Sequence, residues 1–257
     1  MPQPINATAS SYVSSHLADG RGASYDAYYC SDPWLVYACA RDKEVVRTIR
    51  RTLLKGKDVN LLDFACGTGR ILEDIENEVG SACGVDVSES MLTQASQKVK
   101  RSSLLRTNLL NEQPFGRFRF DLITSFRFFV NAEPELRRAA LRVLVSLLAD
   151  DGYLVLNNHH NRYSLRRTYQ RLVARIRRRP CDVTFMTIGE CRELVADAGL
   201  EIVAVHSVGL FYVPGVVLPP IVHGFFDRVI GRVSWIAAWA ESPILVCRKR
   251  RAAQRPA

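Results

Sequence analysis

From Val59 onward the apolar positions of this chain fall into two alternating rhythms. "VNLLDFAC", "SACGVDV", "LLRTNLL", "FDLITSF", "GYLVLNN", "EIVAVHSVG" and "ILVCRKR" are short, dense apolar runs of strand character. Between them the spacing becomes helical: Ile71, Leu72, Ile75 and Val79 in "RILEDIENEV", then "ESMLTQASQKV", then "PELRRAALRVLVSLLA", then "TIGECRELVADAGL" closed by Gly199. Asn131 or Glu133 stands where an N-cap is needed, with Pro134 in the first turn behind it. An Asp151–Gly152 turn is expected to lead into the fifth strand. Strands alternating with helices predict an α/β fold: a doubly wound, mostly parallel seven-stranded sheet with helices on both faces. "ILVCRKR" is expected as the last strand, at the edge of the sheet.

Three regions depart from that rhythm. Residues 1–55 lack a strand pattern and are expected to form a helical N-terminal cap, which leaves 56–257 as the main domain. Within it, residues 160–180 read as a basic helix. Residues 209–240 read as an apolar helical insertion before the last strand, with Ile221, Val222, Phe225, Phe226, Val229, Ile230, Val233, Ile236 and Trp239 at helical spacing. No repeat or low-complexity linker separates these pieces.

Composition narrows the picture in three ways. With 257 residues, 47% hydrophobic and 24% charged, the chain can bury a full core, which excludes global disorder. No apolar run reaches the ~18 residues of a spanning helix, and "MPQPINATAS" lacks the layout of a secretory leader. The seven cysteines include no C-x-x-C pair, so reduced thiols, a cytoplasmic location and no metal site are expected. The net charge of +9 is concentrated: Arg162–Arg179 holds eight arginines and no acid.

The candidate chemistry lies in "LLDFACGTGR", a strand followed at once by Gly67 and Gly69 and then a helical segment. Such a turn lets a nucleotide-like ligand approach backbone that a Cβ would obstruct. A dinucleotide site wants a third glycine three residues on, and Leu72 stands there. S-adenosylmethionine (SAM) suits the residues better. A carboxylate at Asp63 matches its ammonium group, and Asp86, at the end of the second strand, can accept from both ribose hydroxyls. Asn108 can bond the adenine while Leu109 packs on its face.

With "GVDVSESMLTQA", "FDLITSF" and "LLADDGYLVLNN" following in register, the stretch Val59–Asn158 resembles the successive motifs of class I SAM-dependent methyltransferases. The resemblance implies SAM as cofactor, S-adenosyl-L-homocysteine as product, and cofactor contacts from Asp63, Ala65, Cys66, Gly67, Thr68, Gly69, Asp86, Val87, Met91, Asn108, Leu109 and Ser125. It also implies an N-terminal lid, for which Tyr25 is the candidate. Two departures stand out: Ala65 replaces a common glycine, a mild change by size, and Asn108 replaces a common aspartate.

For the acceptor, "SFRFFVN" after the fourth strand offers Arg127 and Asn131, walled by Phe126, Phe128 and Phe129. It is not the N-P-P-Y type of signature of amino-directed DNA methyltransferases. "NNHHN" after the fifth strand offers Asn157 as a substrate contact and His160 or His159 as general base. The expected activity is methyl transfer to a small molecule, most simply a hydroxyl of a sugar or secondary metabolite. Alternatives are RNA or protein methylation using the Arg166–Arg179 face, and SAM binding without catalysis. In the basic helix Leu165, Tyr169, Leu172, Val173 and Ile176 share one face, expected to dock on the domain while the arginines meet solvent, nucleic acid, an anionic membrane surface, or an anionic small substrate or carrier. The apolar insertion could serve as a lid or meet a lipid-linked substrate. Oligomeric state is not readable.

Overall fold

The structure, a computed structural model, describes residues 21–178, 185–212 and 220–250. Two helices come first, α1 (Arg21–Ser31) and α2 (Pro33–Thr52). Asp32 separates them, its carboxylate accepting from the Trp34 and Leu35 N–H groups as the α2 N-cap. The domain then runs β1 (Asn60–Phe64), α3 (Leu72–Ile75), β2 (Ser81–Asp86), α4 (Glu89–Lys98), β3 (Ser103–Arg106), β4 (Phe120–Ser125), α5 (Pro134–Leu147) and β5 (Leu148–Asn157). It continues with α6 (Leu165–Ile176), α7 (Ile188–Asp197), β6 (Leu200–His206), α8 (Pro220–Val229), a 3-10 turn (Ile230–Arg232), α9 (Ser234–Ala237) and β7 (Ile244–Lys249).

The seven strands lie in the order β3-β2-β1-β4-β5-β7-β6. All neighbours pair parallel except at β7, which is antiparallel to both β5 and β6. Strand residues alternate between two buried layers, as a sheet covered on both faces requires. Leu62, Ile123, Leu154 and Leu245 pack with α5 and α7, whereas Leu61, Leu122, Val155 and Val246 pack with α2 and α3.

Five expectations need correction. β7 is not an edge strand; it threads between β5 and β6, and its first four residues are wholly buried. Asp151–Gly152 is not a turn: β5 begins directly after α5 and runs through both, with a register shift opposite Phe120 and Leu122. The helix expected over 70–79 is a single turn, because Gly69 and the Glu76–Val79 bends bracket it. The apolar insertion is not one helix. It breaks at Gly231, which lies so close to Ser207 that a Cβ would stand 2.3 Å from the serine Cβ. Finally, the apolar stripe of α6 does not dock on the domain. No residue of α6 is fully buried, and Tyr169, Leu172 and Ile176 are exposed.

Helices α1 and α2 precede the sheet, residues 1–20 of the expected cap lying outside the described residues, and α4, α5 and α7 form where expected, α7 with a full capping box between Thr187 and Glu190. Glu133 caps α5 by backbone only. Arg179, Cys181 and residues 213–219 lie outside the described residues. Among those described, six cysteines are free, no metal-binding cluster forms, and no helix is long and apolar enough to cross a membrane.

Candidate active site

Strand order reverses between β1 and β4, and in open α/β sheets ligands bind beyond the carboxyl ends of the strands at that point. β1 ends in the glycine turn, where Ala65, Gly67 and Gly69 all have positive φ, 55°, 54° and 72°. The two glycines do different work. A Cβ on Gly69 would meet Val99 Cγ2 at 2.9 Å, so this residue lets the turn press against α4 and its exit. A Cβ on Gly67 would meet nothing within 4 Å: it faces open space. The turn is held from β2, since Asp86 Oδ2 accepts from the Gly67 N–H at 2.8 Å while Oδ1 accepts from Ser88 N–H at 2.9 Å.

Two cavities meet at Ala65. One, about 520 Å³, is lined by Phe64, Val85, Asp86, Val87, Asn108 and Leu109 among others and is mostly apolar. Asn108 Oδ1 accepts from Leu110 N–H at 3.1 Å, which fixes its amide at the rim. The other, about 350 Å³, is polar and is lined by Tyr25, Asp63, Cys66, Gly67, Thr68 and Arg70 among others. Asp63 is buried, accepts from Thr124 Oγ1 at 2.7 Å, and has its pKa pushed up to about 7 by burial, with the Asp86 charge adding. A cation placed beside it would restore the ionised form. Ser125 and Met91 are buried behind these walls.

The N-terminal cap closes the polar cavity. Asp26 accepts from Thr68 Oγ1 at 2.7 Å and pairs with Lys98 at 2.6 Å, which fixes α1 over the glycine turn. Tyr25 lines the cavity and its hydroxyl donates to Tyr29. The Tyr29 ring receives Arg127 at 4.6 Å and Arg70 at 5.6 Å, and both guanidinium groups face the buried carboxylate of Asp42, at 3.9 and 3.4 Å.

Beyond β4 and β5 the expected acceptor residues do come together. The Arg127 N–H donates to Asn157 Oδ1 at 2.7 Å, Asn131 Nδ2 donates to Arg127 O at 2.7 Å, and the same amide lies 3.4 Å from His159 Nε2. Asn157 is buried and its amide reaches Ser242, so its visible role is to position Arg127. Arg127 and His160 both hold positive φ, 67° and 63°, which costs a non-glycine residue about 1–2 kcal/mol and marks sites held by their surroundings.

The two histidines differ in access. His159 is buried and held neutral, its pKa well below the ordinary value through burial and the neighbouring His160, Arg127 and Arg70. His160 keeps 36% of its side chain exposed and has Nδ1 at 3.2 Å from Glu241 Oε1. Burial lowers its pKa, Glu241 opposes that, and the Arg167 and Arg127 charges add to it.

Sequence reasoning missed Glu241, Asp42 and Arg70, and reached Tyr29 only as one of a run of N-terminal tyrosines. Glu241 is buried and gathers Ser164 Oγ at 2.6 Å and Arg166 at 3.1 Å besides His160. Burial opposes its ionisation, but the bonds from His160 and Ser164 and the charges of Arg167 and Arg166 hold its pKa below the ordinary carboxylate value. It lies 81 residues from His160, with no local pattern joining them. Asp42 and Tyr29 had no signal beyond a polar residue in an amphipathic helix and a tyrosine-rich run. Arg70 carried one, its place directly after the second glycine.

This sheet order, glycine turn and pair of strand-end carboxylates define an α/β nucleoside-cofactor fold. Residues 62–154 match the family model described as "Methyltransferase domain". A protein of Geobacillus sp. (strain WCH70) bearing only a general methyltransferase name is 31% identical over 117 residues, 43% of this chain and 46% of that protein. The dTDP-3-amino-3,4,6-trideoxy-alpha-D-glucopyranose N,N-dimethyltransferase of Streptomyces venezuelae is 44% identical over 45 residues, 18% of this chain and 19% of the relative. The matched stretches thus span less than half of either curated relative. Among solved structures, the magnesium protoporphyrin IX methyltransferase of Synechocystis PCC 6803 with bound SAM superposes with a TM-score of 0.60 at 13% identity, covering 96% of this chain and 100% of that one. Residues 62–154 are thus similar to a methyltransferase domain, and the chain shares the fold of a SAM-bound methyltransferase.

Proposed function

We propose that this chain transfers the methyl group of SAM to a small-molecule acceptor held between the cap and the ends of β4 and β5. The observation that carries this reading is the junction at Ala65 of an apolar cavity beside Asp86 with a polar cavity beside Asp63. Nucleoside and amino-acid ends of SAM have those two chemistries. In this reading Asp63 takes the ammonium, Arg70 the carboxylate, Asp86 the ribose, and Asn108 with Leu109 the adenine, while Tyr25 covers the amino-acid end. When bound, SAM supplies an electrophilic methyl group on a sulfonium for in-line displacement.

The chain's own work is alignment, exclusion of water and removal of a proton. Tyr29 and the aromatic residues after β4 exclude water, and Arg127 orients the acceptor. His160 is the proposed base, with Glu241 positioning it. Arg167 reaches both, 2.9 Å from His160 Nδ1 and 3.4 Å from Glu241 Oε1. A guanidinium only donates, so its contact with His160 makes Nδ1 an acceptor. For His160 to act as base Arg167 must turn wholly to Glu241, after which Nδ1–H donates to the same carboxylate and Nε2 accepts a hydroxyl proton.

An amine acceptor is the second reading, favoured by the 45-residue kinship to an amino-sugar N,N-dimethyltransferase. The test is a panel of hydroxylated and amino small molecules with methyl-labelled SAM, run on wild type, Asp63→Asn and His160→Gln. Label in hydroxyl products, lost in Asp63→Asn and reduced at least tenfold in kcat by His160→Gln, is expected. Turnover of amines that His160→Gln leaves unchanged would replace the first reading with the second. Label confined to RNA or protein would overturn both.

A further inference from the structure

We propose that α6 is an interfacial helix that seats the protein on an anionic lipid bilayer. The helix is attached to the domain by the wrong face for an ordinary amphipathic segment. At about 100° per residue, Arg166, Arg167, Gln170 and Ala174 share one side, and the first two reach inward to Glu241. Leu165, Tyr169, Leu172 and Ile176 lie on the opposite side. The last three of these are 50%, 57% and 72% exposed. Burying such a stripe would normally fasten the helix to its core. Here charged groups do the fastening, and the stripe is left outward.

The charges complete the pattern. Arg171 and Arg175 run along one flank of the stripe, Arg177 and Arg178 follow in the turn that ends the helix, and among the described residues none of the four makes an ion pair. Arg171 meets neutral partners, the Tyr163 ring at 5.3 Å and Thr168 Oγ1 at 3.4 Å, which leaves its charge unneutralised. Outward apolar side chains bordered by arginines without ion pairs suit the boundary between anionic headgroups and acyl chains. A nucleic acid would use the charges but has no use for Leu172 and Ile176. Half-exposed Trp239 extends the surface: its carbonyl accepts the Leu165 N–H at 3.2 Å, which sets it beside the start of the stripe, and tryptophan favours that boundary. Because Ser164 and Arg167 at the head of α6 touch the group that holds His160, the seated face adjoins the proposed acceptor site. Seating on lipid does not depend on the transfer reaction.

The test is flotation of the full chain with vesicles of phosphatidylcholine alone or with about one third phosphatidylglycerol. Wild type should float with the anionic vesicles only, release at high salt, and show tryptophan quenching by acyl-brominated lipid. Leu172→Ser/Ile176→Ser and Arg171→Gln/Arg175→Gln/Arg178→Gln should each weaken flotation at least tenfold while keeping the wild-type circular dichroism spectrum. Absence of flotation and quenching in wild type overturns the proposal without recourse to any variant. So does RNA binding that the arginine variant abolishes and the Leu172/Ile176 variant leaves intact, or a dimer that the Leu172/Ile176 variant converts to monomer.

Discussion

At Asp63 one carboxylate is asked to be buried and charged together. Its ordinary pKa near 3.8 is raised to about 7, so the folded protein holds an extra proton between those values. Stability therefore falls as pH rises from about 4 to about 7, and the penalty is complete above that. SAM binding should run the other way, its affinity dropping by up to tenfold per pH unit below 7, as calorimetry from pH 5.5 to 8.5 would reveal. Asp63→Asn should remove both effects: a higher melting temperature without SAM at pH 8, and no SAM-induced shift. A pH-independent SAM affinity in wild type would refute the assignment.

Ala65 teaches the neighbouring lesson. By size the replacement of a glycine there is mild, but at φ 55° the cost is conformational. Ala65→Gly should stabilise the fold by about 0.5–1 kcal/mol, read from denaturant midpoints. The positions of Gly67, Gly69, Asp63 and Asp86 around the turn were legible because strand, turn and carboxylate are neighbours in sequence. Glu241, Asp42 and Tyr29 were not, because what assigns them is a contact across the fold, and no local periodicity encodes it.

At the scale of elements, helices and strands were largely legible and their partners were not. β7 carries the apolar density of a central strand, yet its antiparallel insertion between β5 and β6 follows from a connection that sequence alone does not route. α6 shows the same limit: its stripe was plain, but which side faced the domain depended on Glu241. α8 is placed by a comparable device. Buried Asp227 accepts from Tyr37 Oη, Ser207 Oγ at 2.6 Å, and the Gly209 and Leu210 N–H groups at 2.6 and 3.0 Å, tying α8 to α2 and the loop after β6. Asp227→Ala leaves these donors unmatched and should cost about 3 kcal/mol or more in chemical unfolding. A loss below about 1 kcal/mol would mean the loop re-forms its bonds elsewhere.

For the whole molecule the question is what keeps the cap closed over the site. α2 is integral, with Val45, Val46 and Ile49 in the core beside β1. α1 is held chiefly by polar contacts, above all Asp26 with Thr68 and Lys98. Both partners of that ion pair are partly exposed, so it contributes little to global stability, about 0–1 kcal/mol, and is screened by salt. A closure worth so little is suited to a lid that opens and shuts. Asp26→Ala should therefore leave the melting temperature within about 2 °C of wild type. It should also raise protease cleavage within residues 21–31 and weaken SAM binding about three- to tenfold, a defect that high salt partly reproduces in wild type. Equal SAM affinity and equal protection of α1 in the variant would show that Tyr29, wedged between Arg70 and Arg127, holds the cap without Asp26. Control of access would then pass to the buried Asp42 cluster, where removing the carboxylate strands two arginines and should cost about 3–5 kcal/mol.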